Sequence, residues 1–395
     1  MGNELLALGA AFLAAAVLAR MGRRIGLPTI PFFMAAGILF GPNTPGVALF
    51  DDAHSIELLA DLGLVLLLFH LGLEFSLGDL VDGGRKLLAV GAMYLCLNIG
   101  GGIAFGFGLG WGTKEAFVIA GAVGISSSAI VTKLLVELGR LGNPESRLIL
   151  GIVVVEDVFL ALYLAALQPI LGGSSGPADA FRELGIAFAF LVVMTTVARF
   201  GAKWVGRLIE TPDDELLTIG FLGVAILVAG LGEELGVSDA IGAFMAGLIL
   251  AESAAAPRIE RLVLPLRDAF AAVFFFAFGL TIDPGDVGDV VVPVAIAVVM
   301  SIVLNLVAGV WAARMNQFGR RQAANIGFTI LGRGEFSLIL ATLAAAAGLD
   351  SRIGPFVGLY VLVLAVGGPL LAARSASLTA IIPRRFFPDR AASST

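Results

Sequence analysis

The sequence predicts an all-α polytopic membrane protein with thirteen transmembrane helices, arranged as two inverted six-helix repeats. Three observations lead to this fold class. The 395-residue chain is 58% hydrophobic and only 14% charged, whereas soluble domains carry roughly 25% charged residues. Its apolar runs recur at about the length that a bilayer requires. Short motifs of the first half also return in the second half.

The spans follow from the apolar runs. A membrane-spanning helix needs about 20 apolar residues, in a range of roughly 17–25. Allowing a few residues at each end, the thirteen predicted spans are 5–21, 27–41, 56–75, 86–109, 116–138, 148–171, 180–200, 216–231, 237–250, 266–282, 290–311, 326–347 and 354–373.

Basic residues set the orientation of these spans, because cytoplasmic loops carry an excess of Lys and Arg. Of the 25 basic residues, twenty lie in loops or within two residues of a span end on one side, and three do so on the other. The remaining two, Lys133 and Arg333, lie inside spans. This alternation predicts an N-terminus outside the cell and a C-terminus in the cytoplasm.

An internal repeat relates the two halves of the chain. Three segments of the first half match segments of the second, and the matching spans are seven apart, so the halves insert in opposite orientations. Six-plus-six inverted halves joined by span 7 are typical of secondary transporters, whose site lies near the midplane at broken helices. The matches are FMAAGIL (33–39) with FMAGLIL (244–250), FHLGLEF (69–75) with FAFGLTI (276–282), and SSSAIVTKLL (126–135) with RGEFSLILAT (333–342).

Two adjacent acids, Glu156 and Asp157, interrupt span 6 half-way through the membrane. A charged side chain at the bilayer centre costs about 2.5–3.5 kcal/mol on insertion scales, so acids there need a reason. Two neighbouring carboxylates disfavour each other's ionised form, and a proton or a metal cation relieves that repulsion. We therefore expect a cation and proton site here. The alternative is an ion pair with Lys133 or Arg333 that serves helix packing.

Spans 5 and 12 are predicted to be broken helices that cross. Small and hydroxyl residues weaken span 5 at mid-membrane, and an unwound turn would offer oxygen ligands to an alkali cation. Arg333 and Glu335 stand at the matching depth of span 12. Arg333 could neutralise half-helix carbonyl ends or one of the carboxylates, and an Arg333–Glu335 bridge is the structural alternative. A face of small residues for helix packing is the alternative in span 5. The candidate ligands in span 5 are Ser126, Ser127, Ser128 and Thr132.

Other polar residues are weaker candidates. Glu74 could be a proton-relay group or an interfacial acid, and His70, one turn earlier, could sense pH or simply be packed. Lys133 is expected to pair with an acid near the inner face or to extend towards it. The single Cys96 and two histidines predict no metal cluster and no cofactor. A phosphate-binding loop motif is also missing, so direct coupling to ATP is not expected. An intramembrane enzyme is the weakest alternative, because the sequence shows no nucleophile or metal triad.

These residues together resemble the Kef-type branch of the monovalent cation:proton antiporter-2 superfamily. LFHLGLEF resembles its LFxxGLE segment, ISSSAIVTKLL its SSTA helix, GIVVVEDV its glutamine–aspartate segment, and GRGEFSLIL its GGEF segment. The resemblance covers residues 1–375 in order. It implies the sodium/proton antiporter fold, in a homodimer. Spans 1–3 and 8–10 would form a scaffold, and spans 4–6 and 11–13 a mobile core that carries the ion by elevator motion.

Carried over to this chain, the resemblance makes Asp157 the carboxylate that binds potassium (or sodium) and the proton, with Ser126–Ser128 and Glu335 lining the crossed breaks. Glu156 stands where Kef proteins have glutamine, a departure that bears on the coupling ratio. Span 11 has Asn305 and no basic residue, where electrogenic sodium exchangers carry a lysine, which favours potassium.

The resemblance also bears on regulation and function. Kef proteins continue into a nucleotide-binding domain, whereas only the short tail 376–395 follows here. A separate cytosolic nucleotide-binding subunit is therefore a possible partner besides the lipid bilayer, and no nucleic acid is expected. The sequence predicts potassium/proton antiport. Sodium/proton antiport by the same fold and a potassium conduit gated by a partner subunit are the alternatives.

Overall fold

The computed structural model describes residues 2–24, 29–44, 49–50, 56–74, 84–171, 177–235, 237 and 239–387. The predicted start of span 2, the end of span 3 and the last eight residues of the tail lie outside these ranges. Within them, the secondary structure is helical throughout and contains no strand.

The main helices, in chain order, are α1 (Gly2–Arg24), α2 (Ile30–Phe40), α3 (Glu57–Glu74), α4 (Gly84–Leu109), α5 (Thr113–Gly124), α6 (Ser128–Glu137), α7 (Pro144–Leu171), α8 (Pro177–Thr196), α9 (Ala202–Ile209), α10 (Asp214–Glu234), α11 (Asp239–Ala251), α12 (Ala256–Leu280), α13 (Val287–Met315), α14 (Arg320–Thr329), α15 (Glu335–Ala346) and α16 (Ile353–Ala373). A π-helical stretch, Val197–Gly201, joins α8 to α9, and short helical turns follow α16.

These helices coincide with the predicted spans. Span 5 is the pair α5 and α6, and span 12 is the pair α14 and α15. Span 7 (180–200) corresponds to α8 with the π-helical stretch, and the helix continues beyond the predicted end as α9. In the described ranges, seven helical stretches are long and apolar enough to cross a membrane by themselves, and three apolar helices are shorter. The all-helical, multi-spanning fold class is therefore confirmed, while the count of thirteen spans stays a prediction.

Glycines show the repeat in two equivalent helix crossings. A Cβ on Gly37 would come within 2.8 Å of the Cα of Gly279, where α2 crosses α12. A Cβ on Gly72 would come within 3.0 Å of the Cα of Gly247, where α3 crosses α11. Neither crossing has room for a side chain, so small residues allow the backbones to approach closely, as in other membrane helix pairs.

A second pair of crossings follows the offset of 207 residues that separates FHLGLEF (69–75) from FAFGLTI (276–282). A Cβ on Gly102 of α4 would lie 2.8 Å from the Cα of Ala120 in α5. Its counterpart on Gly309 of α13 would lie 3.1 Å from the Cα of Gly327 in α14. The two halves of the chain therefore pack a half-helix against a long helix at equivalent positions of the repeat.

The two broken helices meet at the centre of the molecule. Helix α5 ends at Gly124 and α6 begins at Ser128, while α14 ends at Thr329 and α15 begins at Glu335. The backbone N–H of Ser127 donates a 3.0 Å hydrogen bond to the carbonyl of Gly332, which joins one break to the other. The fold thus brings four helix ends to one place, with α7 passing beside them.

Candidate functional site

Glu156 of α7 is fixed against the first break. Its side chain is fully buried, one carboxylate oxygen accepts the backbone N–H of Ser126 at 3.0 Å, and the other accepts the Ser126 hydroxyl at 2.5 Å. The unwound turn after α5 leaves that backbone N–H without a helical partner, and Glu156 supplies one. This carboxylate therefore holds the break in shape.

Asp157 is the next residue but has different surroundings, because adjacent residues point about 100° apart on a helix. Its side chain is 7% exposed, and the buried Oδ1 has no hydrogen-bond partner among the residues described. It lies within electrostatic reach of Glu156, Glu335 and Glu74. A buried carboxylate oxygen without a partner is costly, so this atom is the one at which a proton or cation would be most stabilising.

Glu335 begins α15 and faces the first break. Ser127 donates its hydroxyl to the Glu335 carboxylate at 2.8 Å, and the same hydroxyl accepts the backbone N–H of Ile130 at 3.3 Å. Ser127 is thus the N-cap of α6 and a side-chain link to the other broken helix. Ser128, the first residue of α6, is half-buried.

Arg333 is fully buried between the two helix ends. Its guanidinium donates to the carbonyl of Val123 at 3.0 Å, which belongs to the last turn of α5. It also donates to the carbonyls of Ile330 and Leu331 at 3.0 and 3.3 Å, just beyond α14. Cations stabilise the negative ends of helix dipoles. Arg333 therefore neutralises the carbonyl ends of both half-helices, one of the two roles expected from the sequence.

The direct ion pairs considered for Arg333 are absent from the part of the chain that the structure describes, although Glu156 lies within electrostatic reach of the guanidinium. Among the residues described, no carboxylate lies within ion-pair distance of its guanidinium, so neither the bridge to Glu335 nor the direct pair with Glu156 is present. The physical reason is local: Ser126 and Ser127 already satisfy the two acids, and the carbonyls at the helix ends take up the guanidinium.

Two further side chains complete the cap of α5, and sequence reasoning missed both. The hydroxyl of Ser337 donates to the carbonyl of Ala122 at 2.6 Å, and that of Tyr360 to Val123 at 3.4 Å. Tyr360 also shares a 2.6 Å hydrogen bond with Ser301. Ser337 could have been found from the sequence, because it is a hydroxyl residue in the first turn after the break.

Asn305 lies in a buried polar network at the middle of α13. Its side chain accepts a hydrogen bond from the Tyr94 hydroxyl at 2.7 Å and donates to Asn98 at 3.3 Å and to the carbonyl of Ser301 at 2.8 Å. Asn98 and Asn305 are 207 residues apart, so the network lies where the repeats meet. That spacing was a signal in the sequence for Asn98.

The remaining candidates lie outside this buried cluster. Thr132 is exposed on α6, beyond the first turn after the break, so the structure does not place it with the other proposed ligands. Lys133 is half-buried on the same helix. Glu74 is about half exposed and lies 3.6 Å from buried His70, and Arg267 also contacts that histidine at 3.1 Å. His70 is thus packed between charged partners at the end of α3.

Fold and site together define a class: an inverted-repeat membrane transporter with crossed broken helices and buried carboxylates at the crossing. The family model described as "Sodium/hydrogen exchanger, transmembrane" matches residues 10–373. The chain belongs to the sodium/hydrogen exchanger family, which confirms the resemblance seen in the motifs.

Individual relatives agree with this assignment. The K(+)/H(+) antiporter subunit KhtU of Bacillus subtilis is 38% identical over 98% of this chain and 97% of its own length. The ammonium/H(+) antiporter subunit AmhT of Alkalihalophilus pseudofirmus is 29% identical, over 93% and 92%. Among solved structures, the sodium proton antiporter MjNhaP1 of Methanocaldococcus jannaschii superposes with a TM-score of 0.71 over 96% of this chain and 99% of its own, at 15% identity. That likeness concerns the fold.

Proposed function

We propose that this chain is a potassium/proton antiporter in which Asp157 binds the two ions alternately. The observation that carries the proposal is the unpartnered Oδ1 of Asp157, buried beside the crossed breaks. The carboxylate is neutral when protonated and can balance one alkali cation when ionised, so binding of one excludes the other. Two observations support potassium as the transported cation. The relative KhtU is a K(+)/H(+) antiporter subunit, and α13 carries the neutral Asn305 at mid-length.

Side chains and backbone around Asp157 would support the unwound turn and offer oxygen ligands to the cation. Glu156 and Ser126 hold the unwound turn, Ser127 and Glu335 tie the two breaks together, and Ser128 is the nearest further hydroxyl along the chain. Oxygen atoms of this kind are the ligands that hard cations prefer. Arg333 compensates the helix ends, so its charge would remain fixed during transport.

The proposed motion divides the chain as the resemblance implies. Residues 1–375 form the membrane domain, and residues 376–395 form a cytoplasmic tail. Helices α1–α3 and α10–α12 would be the scaffold, α4–α7 and α13–α16 the mobile core, and α8 with α9 the linker. The glycine crossings support this division, because each of them lies within one of the two units. We further propose a homodimer in a bacterial inner membrane, with the N-terminus outside, and regulation by a separate cytosolic subunit.

Transport by the purified chain in proteoliposomes tests the function. With a proton-sensitive dye inside, an outward potassium gradient should drive proton uptake that saturates with potassium. Equal gradients of sodium and ammonium give the comparison between substrates. Sodium-driven proton uptake at least equal to that with potassium would assign the sodium alternative. Potassium flux without any pH change would assign a conduit.

A further inference from the structure

A laterally open crevice of about 460 Å³ runs between α1, α2, α3 and α12, away from the crossed helices. Its walls are almost entirely apolar. Phe12, Ala15, Ala16 and Ala19 line it from α1, and Arg23 closes the same row at the end of that helix. The crevice therefore has a long hydrophobic part and a single basic end.

The dimensions of the crevice match one leaflet of a bilayer. Phe12 and Arg23 are eleven residues apart on α1, which corresponds to about 16 Å along the axis. Half of a typical hydrocarbon core is about 15 Å. At the end of this length that is farthest from Arg23, Phe12 packs edge-on against Phe276 of α12. The guanidinium at the other end therefore stands at the level of lipid headgroups.

We propose that this crevice binds an anionic phospholipid, with an acyl chain along the alanine face of α1 and the phosphate beside Arg23. An acyl chain fits the apolar walls, and Arg23, the basic residue that lines the crevice, selects negative charge. In the proposed topology Arg23 faces the cytoplasm, so the lipid belongs to the inner leaflet. The proposal is independent of which cation the chain transports.

Native mass spectrometry and thermal unfolding of the purified protein test this site. In detergent, added phosphatidylglycerol should bind and raise the thermal midpoint more than phosphatidylcholine does. Arg23→Gln should weaken the preference for phosphatidylglycerol about fivefold, corresponding to about 1 kcal/mol per basic residue near anionic lipid. Arg24→Gln is the matched control, because Arg24 is the adjacent exposed arginine and does not line the crevice.

A second variant separates lipid from protein as the occupant. Ala16 is exposed towards the crevice, so Ala16→Phe should fill it without disturbing the core and should displace the lipid. Unchanged lipid retention in that variant would overturn the proposal. So would equal effects of Arg23→Gln and Arg24→Gln. A change from dimer to monomer on Ala16→Phe, with lipid binding intact, would assign the crevice to a second copy of the chain.

Discussion

Asp157 and Glu156 are neighbours on one helix, but only Glu156 has its carboxylate satisfied by the protein. An amide at position 157 can neither release a proton nor balance a cation. We expect Asp157→Asn to reduce exchange to the level of liposomes without protein, while the purified variant remains folded and elutes like the wild type. Dye-monitored exchange together with size-exclusion chromatography measures both effects. Residual pH-coupled transport in this variant would remove Asp157 from its proposed role.

Glu156 offers the matched control, because the same type of substitution falls on the adjacent residue. A glutamine still presents one carbonyl oxygen to the backbone N–H of Ser126, so the unwound turn keeps a partner. We expect Glu156→Gln to retain substantial antiport and at most to shift its pH profile, as measured in the same liposomes. Complete loss of exchange would show that this acid also cycles protons or binds the cation.

At the scale of elements, the end of α5 depends on a cap made by three other segments. Arg333, Ser337 and Tyr360 supply the donors that its last carbonyls lack. Hydrogen bonds to charged groups contribute roughly 1.5–3 kcal/mol each, and buried carbonyls without a donor are destabilising. Arg333→Ala should therefore destabilise the protein by at least that amount, as seen in its thermal midpoint.

A double-mutant cycle distinguishes this cap from an ion pair. Because Arg333 contacts carbonyls and Glu335 accepts from Ser127, Arg333→Ala and Glu335→Gln should be close to additive. A coupling energy above about 1 kcal/mol would indicate a direct charge pair. Ser337→Ala serves as the comparison, since it removes a neutral donor from the same helix end.

The loops before α5 and α16 share an acid-sensitive contact. Arg352 donates hydrogen bonds to the Asp350 carboxylate through its backbone N–H and its guanidinium. The guanidinium also lies 4.7 Å from the centre of the Trp111 ring, and this contact connects the loop before α16 to the loop before α5. These hydrogen bonds lower the pKa of Asp350. A lowered pKa stabilises the folded loop above the ordinary aspartate value near 4, and that stability is lost as the pH falls through the lower folded value.

The contact is partly exposed, so its effect is small. Asp350→Asn should cost less than about 1 kcal/mol at neutral pH. In this variant the stability of the loop should no longer fall below about pH 4, because the asparagine does not take up a proton there. Hydrogen exchange of the α15–α16 loop at pH 3.5 and pH 7 measures the change. An identical pH response in variant and wild type would contradict it.

Much of the architecture could be predicted from sequence because it depends on composition and periodicity. Apolar run length gives the helices, and the offset of 207 residues gives the inverted repeat and the crossing of the two breaks. The partners of Arg333 could not be predicted from the sequence, because they are backbone carbonyls, which every residue type has. Thr132 was grouped with the serines by proximity in sequence, whereas the direction of α6 leaves it exposed.

At the scale of the whole molecule, the charges at the centre determine whether exchange responds to voltage. Glu156 and Glu335 are held by serines, and Arg333 is held by carbonyls. Helix α13 carries Asn305 at mid-length, and its basic residue, Arg314, lies in the last turn. If only Asp157 exchanges its ligand, the core carries the same net charge with a proton as with a cation. One cation would then move for each proton, and no charge would cross the membrane.

We therefore expect electroneutral exchange. In proteoliposomes with equal potassium on both sides, a potential imposed by a thiocyanate gradient should leave the exchange rate unchanged in the wild type and in Glu156→Gln. A clear acceleration of the wild type that disappears in Glu156→Gln would mean that both acids release protons, with two protons exchanged for each cation. Acceleration in both proteins would place the second moving charge outside this pair of acids. Either result would contradict the fixed role assigned to the charges around Asp157.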